Sequence, residues 1–168
     1  MFNHAGTEYN CPICLAVKGT ENEDTWIKQQ DFVYRDDLVA VFIGSVFIKG
    51  NEGYPLIVPV KHFENLYDLP AEYGQRIMEI SKKVAVALKG VRRCSGVTLV
   101  QNNEPAGDQR AFHYHLHVVP RFEQDRYHQE SHAGYVSNPK DRIEFAAKLR
   151  EEISRAQTSH GAERQVVD

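Results

Sequence analysis

The chain has no apolar run near the ~20 residues that span a bilayer, so no membrane-spanning helix is expected. It has no block of basic residues either. Asp and Glu (23) outnumber Lys and Arg (20), and the net charge is −3. That balance excludes the broad positive surface of a protein that grips bulk nucleic acid, while leaving room for a local pocket around a small phosphate ester. The opening MFNHAGTEYN lacks the basic-then-apolar order of a secretion signal, and a cytoplasmic protein is expected. Only three cysteines are present, Cys11, Cys14 and Cys94, an odd number that excludes a full disulfide framework in that compartment. No internal repeat and no low-complexity block appear.

What is there reads as one ordinary globule of 168 residues, 42% hydrophobic and 26% charged. Residues 10–19 suggest a knuckle or helical turn. Phe32–Tyr34 and Leu38–Ile43 are β-rich runs flanking Asp36-Asp37, the pattern of a hairpin. Gly50 to Gly53 reads as a loop and Tyr54–Val60 as a third strand. Leu69-Pro70 opens a helix whose stripe is Tyr73, Ile77, Ile80, Val84 and Leu88, with Gly90 as its stop. Val97–Gln101 and Phe112–Arg121 read as the fourth and fifth strands. Asn138-Pro139 caps and starts a second helix with the stripe Ile143, Ala146, Leu149 and Ile153. There is no regular βαβ alternation. The fold class is therefore α+β: a mainly antiparallel five-stranded sheet, a long central helix and a C-terminal helix. A single domain over 1–156 is expected, with 157–168 as a flexible tail.

The unusual feature is His113-Tyr-His115-Leu-His117. On a strand, alternate side chains share a face, so the three histidines line one side. Phe112, Tyr114, Leu116 and Val118 pack on the other, against the long helix. A row of imidazoles suits a metal or a phosphoryl-handling site, since imidazole can attack phosphorus and move protons near neutral pH. The plain alternative is a polar outer face. A third reading puts all three on one metal, but on a flat strand they span ~13 Å at ~3.3 Å per residue, too far for bonds of ~2 Å. Separately, Cys11-Pro-Ile-Cys14 has the spacing of a thiolate pair on tetrahedral zinc. A redox pair is its rival, although the thioredoxin-like βαβ setting is missing.

The run His113-Tyr-His115-Leu-His117-Val-Val, with Pro120-Arg121 after it and Asn102-Asn103 and Gln109 before it, resembles the signature of the histidine-triad family. Gly53-Tyr54-Pro-Leu-Ile-Val-Pro59-Val-Lys61-His62 is similar to the strand preceding the long helix in that family. The resemblance spans roughly residues 10–122 and leaves 123–156 as a branch-specific loop and helix. It implies a homodimer acting on a small nucleotide: a hydrolase or nucleotidyl transferase working at the α-phosphorus of a nucleoside phosphate derivative, of phosphoramidate or dinucleoside polyphosphate type. By position, it implies His115 as nucleophile, His117 and Gln109 as catalytic partners that also contact the phosphate, and Asn102 and Phe42 as substrate-binding residues. Zinc-bearing members pair such a Cys-x-x-Cys with two histidines, which implies a closed structural zinc on Cys11, Cys14, His62 and His113.

Several positions depart from the family pattern. Tyr54 stands where many members have histidine. Gly44 stands where an acid commonly holds the ribose, with Ser45 the nearest hydroxyl. Asp108 and Arg110 flank Gln109, one repelling a phosphate and the other attracting it. Glu123–Lys140 matches no family pattern. Its His128 and His132 read as part of a solvated loop, with a second metal site as the rival. The other function these departures leave open is a nucleotide- or protein-binding module with little turnover.

Overall fold

A tight polar turn begins the sheet. In the computed structural model, which describes residues 2–23 and 25–163 and side chains as far as residue 156, the Asp36 carboxylate accepts hydrogen bonds from the backbone N–H of Leu38 and Val39 at 2.9 and 2.8 Å. This short side chain, bonding to backbone two and three residues on, reverses the chain. A short helix, α1 (Pro12–Val17), precedes the hairpin of β1 (Phe32–Arg35) and β2 (Val39–Ile43). The chain then runs through β3 (Val46–Phe47), β4 (Pro55–Pro59), α2 (Ala71–Arg92), β5 (Gly96–Gln101), β6 (Leu116–Arg121), α3 (Tyr127–Glu130), β7 (Tyr135–Val136) and α4 (Pro139–Glu163). The main sheet has the order β1-β2-β4-β6-β5, antiparallel throughout, and β3 pairs with β7 in a separate ribbon. The expected α+β class, five-stranded sheet and two main helices are all present.

The two faces of the sheet are covered differently. Val41 pairs with Ile57, and Ile57 with Leu116, so these side chains share a face. That face packs on Ile77, Ile80, Val84 and Leu88 of α2 and on Ala146, Leu149 and Ile153 of α4. Each such side chain contributes about 1.5–3 kcal/mol by leaving water. Phe42, Leu56 and His117 lie in register on the opposite face. There α1 supplies a smaller cover, in which Ile13, Ala16 and Val17 pack with Ala40, Phe42 and Val58.

Four local expectations are corrected. The last strand begins at Leu116 instead of Phe112, because Tyr114 N–H is drawn to the Phe63 carbonyl at 2.6 Å and leaves the ladder. Phe112 itself packs edge-on against Tyr9 instead of the long helix. Gly90 does not stop α2. The helix ends two residues later at Arg92, capped by Arg93 in the left-handed region (φ 51°), and Gly90 lies where a Cβ would come within 3.3 Å of Glu152 on α4. Finally, Ile143 is 43% exposed, and its expected place is taken by Arg142, which is 1% exposed. Arg142 donates to Asp31 at 2.9 Å and also holds Ser137 and the Trp26 carbonyl.

Asn138 caps α4 as expected, its side-chain oxygen accepting from Lys140 N–H at 3.0 Å. The backbone of α4 continues to Glu163, past the expected end near 156. Residues 164–168 of the expected tail lie outside the described residues. Among the described residues, no helix is long and apolar enough to cross a membrane.

Candidate active site and metal corner

His113 is turned away from its two partners. Its N–H bonds back to the Ala111 carbonyl at 2.9 Å, a tight turn that swings the ring under α1. There the Cys11 thiol caps α1 by accepting from Cys14 N–H at 3.4 Å, so both sulfurs face one point. His113 Nδ1 lies 3.4 Å from Cys11 Sγ and 3.5 Å from Cys14 Sγ, and His62 Nδ1 lies 3.4 Å from Cys14 Sγ. The four donor atoms fall within 4.8 Å of one another. Tetrahedral bonds of ~2.3 Å to sulfur and ~2.0 Å to nitrogen put S and N ~3.5 Å apart, so the quartet has the dimensions of one ion's coordination shell. His113 Nε2 donates to the Pro59 carbonyl at 2.9 Å, which leaves the Nδ1 lone pair facing the sulfurs. The Cys11 thiol is held well below its ordinary range chiefly by its hydrogen bond with Cys14. The same bond pushes Cys14 up. These four residues can hold a metal.

His115 is buried, and its Nδ1 donates to the His113 carbonyl at 2.7 Å. That bond fixes the tautomer and leaves the Nε2 lone pair free. His117, half-buried on β6, lies with its ring 5.0 Å from that of His115, and that ring makes no hydrogen bond among the described residues. Burial pushes the His115 imidazole below its ordinary value. Burial, reinforced by His115, pushes His117 down to about 3. Both rings are neutral at pH 7, the state in which an imidazole nitrogen can attack. The three histidines therefore do not share one face. Two gather at the candidate site, and the first belongs to the corner behind them.

The remaining expected residues are placed as follows. Asn102 is half-buried, with its amide 3.4 Å from the Asp108 carbonyl. Gln109 is buried with its amide fully engaged: Nε2 donates to the Glu64 and Ala111 carbonyls, and Oε1 accepts from Glu104 N–H at 2.7 Å. In this conformation Gln109 braces the loop. Phe42 lies on the His117 face but is completely buried beneath α1, so it offers no exposed surface. Tyr54 packs its ring 5.6 Å from His117. A Cβ at Gly44 would already touch that ring at 3.4 Å. Asp108 is exposed and faces His132 at 3.6 Å, and His128 stacks edge-on beside Tyr127. Neither His128 nor His132 joins a metal-type cluster among the described residues.

Sequence reading missed the support of this loop. Glu104 has φ 62° and ψ 159°, a region close to glycine-only. Its carboxylate meets His4 Nε2 at 3.0 Å and accepts from the Tyr67 hydroxyl at 3.2 Å. The buried Glu64 carboxylate accepts from the backbone N–H of His4 and, at 3.1 Å, of Ala5. Those partners lie 60 or more positions away in the case of His4, and no local pattern announces them.

With this geometry in view, comparison with known proteins is informative. A family model described as the HIT domain matches residues 27–124. "Protein hit" of Bacillus subtilis is 30% identical over 113 residues, 67% of this chain and 72% of that protein. Adenosine 5'-monophosphoramidase of Saccharomyces cerevisiae is 34% identical over 70 residues, 42% of each chain. The solved structure of a zinc-bound histidine triad family protein from Mycobacterium smegmatis superposes with a TM-score of 0.72 at 24% identity, covering 89% of this chain and 97% of that one.

Proposed function

The chain belongs to the HIT domain family, and on that premise we propose that it is a nucleotide hydrolase or nucleotidyl transferase acting at an α-phosphorus through nucleotidyl-His115. The observation that carries the reading is the His115 ring, with Nδ1 tied to the His113 carbonyl and Nε2 free. The Nε2 lone pair attacks phosphorus and the bond to the leaving group breaks, with the departing electron pair going to that group. Water, or another acceptor, then attacks the phosphorus, the P–N bond breaks back to His115, and the nucleotide departs. His117 steadies the phosphate oxygens or the departing group. Asn102 lies at the substrate side, and Gln109 reaches the phosphate only by releasing its loop bonds.

The metal of this reading is a structural zinc on Cys11, Cys14, His62 and His113. A closed four-ligand shell leaves no open position for substrate. When bound, it supplies a rigid tether of α1 to the His113 backbone. The quartet's dimensions and the zinc-bound relative of the same fold support it.

The proposed partner is a small nucleotide in the cytoplasm, with neither bulk nucleic acid nor membrane. The chain acts as a homodimer. The unpaired edge of β5, with exposed Leu99, borders an open apolar groove of about 770 Å³ lined by Met78, Ala85 and Val97. A second copy laid along that edge satisfies both the strand and the groove. Sedimentation at micromolar concentration tests it, and a monomer that persists at high concentration ends it.

The decisive experiment for the chemistry uses phosphoramidates and dinucleotides labelled at the α-phosphorus, quenched at alkaline pH. Wild type should carry an acid-labile label, and His115→Ala should carry none and turn over at least ~10³-fold more slowly. An unlabelled wild type with the same rate as His115→Ala favours the binding-module reading, which the engaged Gln109 amide otherwise supports.

A further inference from the structure

The leading loop of the histidine run carries one cation without a partner among the described residues. Arg110 is exposed and makes no hydrogen bond or ion pair among the described residues. Its neighbours fix where it stands. Gln109 is buried toward Glu64, and Ala111 packs with Phe42 and Leu56 on the sheet face that bears His117. The loop thus crosses that face, and Arg110 sits at its rim. The acid beside it, Asp108, is directed at His132.

The wall beneath is Tyr54. Its ring is held among Ile48, Val119 and Tyr127, with Leu56 and Val100 at the edge, and it contacts His117. Only 4% of Tyr54 is exposed, yet its hydroxyl has no hydrogen-bond partner among the described residues and is not fully enclosed. Burial pushes that hydroxyl up to about 12, so it stays protonated as a donor, and the Arg110 charge is close enough to draw it back. Gly44, with no side chain, leaves the ring in place. The Arg110 guanidinium, the Tyr54 phenol and the His117 ring therefore gather on one side of the sheet, and the acid next to Arg110 is engaged by His132.

We propose that Arg110 and Tyr54 form the subsite for an anionic, phosphate-bearing leaving group, making them the residues that favour a polyphosphate over an amine. The inference rests on the proposed reaction at His115 and narrows its substrate. Chemistry separates the two classes. When His115 attacks, a departing amine must take up a proton as the P–N bond breaks. A departing phosphate leaves with the electron pair of the P–O bond as an oxyanion, and donors suffice to hold it. A guanidinium matches that oxyanion with parallel N–H bonds.

The test measures kcat/KM for a nucleoside 5'-phosphoramidate and a dinucleoside polyphosphate sharing one nucleoside. Arg110→Ala should cost the polyphosphate about 10–100-fold more than the phosphoramidate. Arg110→Lys, which keeps the charge but not the paired N–H bonds, should recover only part of that difference, and Tyr54→Phe should shift it in the direction of Arg110→Ala by less. Inorganic tripolyphosphate should inhibit wild type competitively and Arg110→Ala much more weakly. Equal losses on both substrates, with unchanged inhibition, overturn the subsite while leaving the His115 reaction intact. Absence of label on wild-type His115 from either substrate removes the underlying reading, and this one with it.

Discussion

The two faces of the sheet are sealed by different means. One is covered by α2 and α4, of 22 and 25 residues, through a continuous apolar cluster. The other is covered by α1, of six residues, which is too short to hold itself by buried area or by its own hydrogen bonds. The zinc proposed for Cys11, Cys14, His62 and His113 would tie it instead. Where apolar area is scarce, that proposed cross-link would take over, and the candidate active site lies on the same face. Stability of the fold and order at the site thus rest on separate supports.

The largest effect should come from cutting the cross-link. Chelation of the metal-loaded protein, or Cys11→Ser, should cost at least about 5 kcal/mol. Hydrogen exchange should speed up over α1 and residues 60–63 and stay slow over α2. Uniform exposure of both faces would contradict the comparison. Next is the charged anchor of α4. Arg142→Ala leaves Asp31 buried and unpaired and should cost about 3–4 kcal/mol in a denaturant titration. The metal corner should be unaffected by it, as read by metal content. Smaller again is Gly53→Ala, at about 2–3 kcal/mol. Its Cβ would fall 2.4 Å from the Phe145 ring at a φ of +71°, a conformation L side chains rarely adopt. A crystal structure of that variant with Phe145 unmoved would reject the assigned clash.

The pH dependence is the most gradual effect, small for each unit of pH. His117 is depressed to about 3 from 6.5, and His115 is depressed too, so the unfolded chain binds protons first as pH falls. Their contribution is complete above pH 6.5 and is lost between 6.5 and about 3 for His117. The slope is at most about 1.4 kcal/mol per pH unit for each histidine. His117→Asn should flatten that slope, and an unchanged slope would remove His117 from the account. The acid limb of kcat/KM should correspondingly fall below pH 6.5.

The hairpin and α2 were legible because their patterns are local: Asp36 makes its own turn, and Tyr73 to Leu88 repeat at helical spacing. The start of α4 was legible for the same reason at Asn138 and Pro139. The misses are long-range. Arg142 outbids Ile143 for the interior because Asp31 waits 111 positions upstream. A periodicity count cannot see a charge that brings its own counterion. Alternation along a strand put His113 and His115 in line with His117, but Phe63 pulls Tyr114 out of the ladder first. The short β3–β7 ribbon, two residues in each strand, has no pattern to read. The resemblance supplied the metal quartet, and its spatial closeness is visible only in three dimensions.

One residue joins the two supports. His113 gives its ring to the corner and its carbonyl to His115. The carbonyl is backbone and stays with any residue at 113, so a substitution there removes the ring's donor and reaches His115 only by moving the backbone. A chain that gave up the ring would keep the acceptor for the His115 N–H and would need only another means of holding that carbonyl in place.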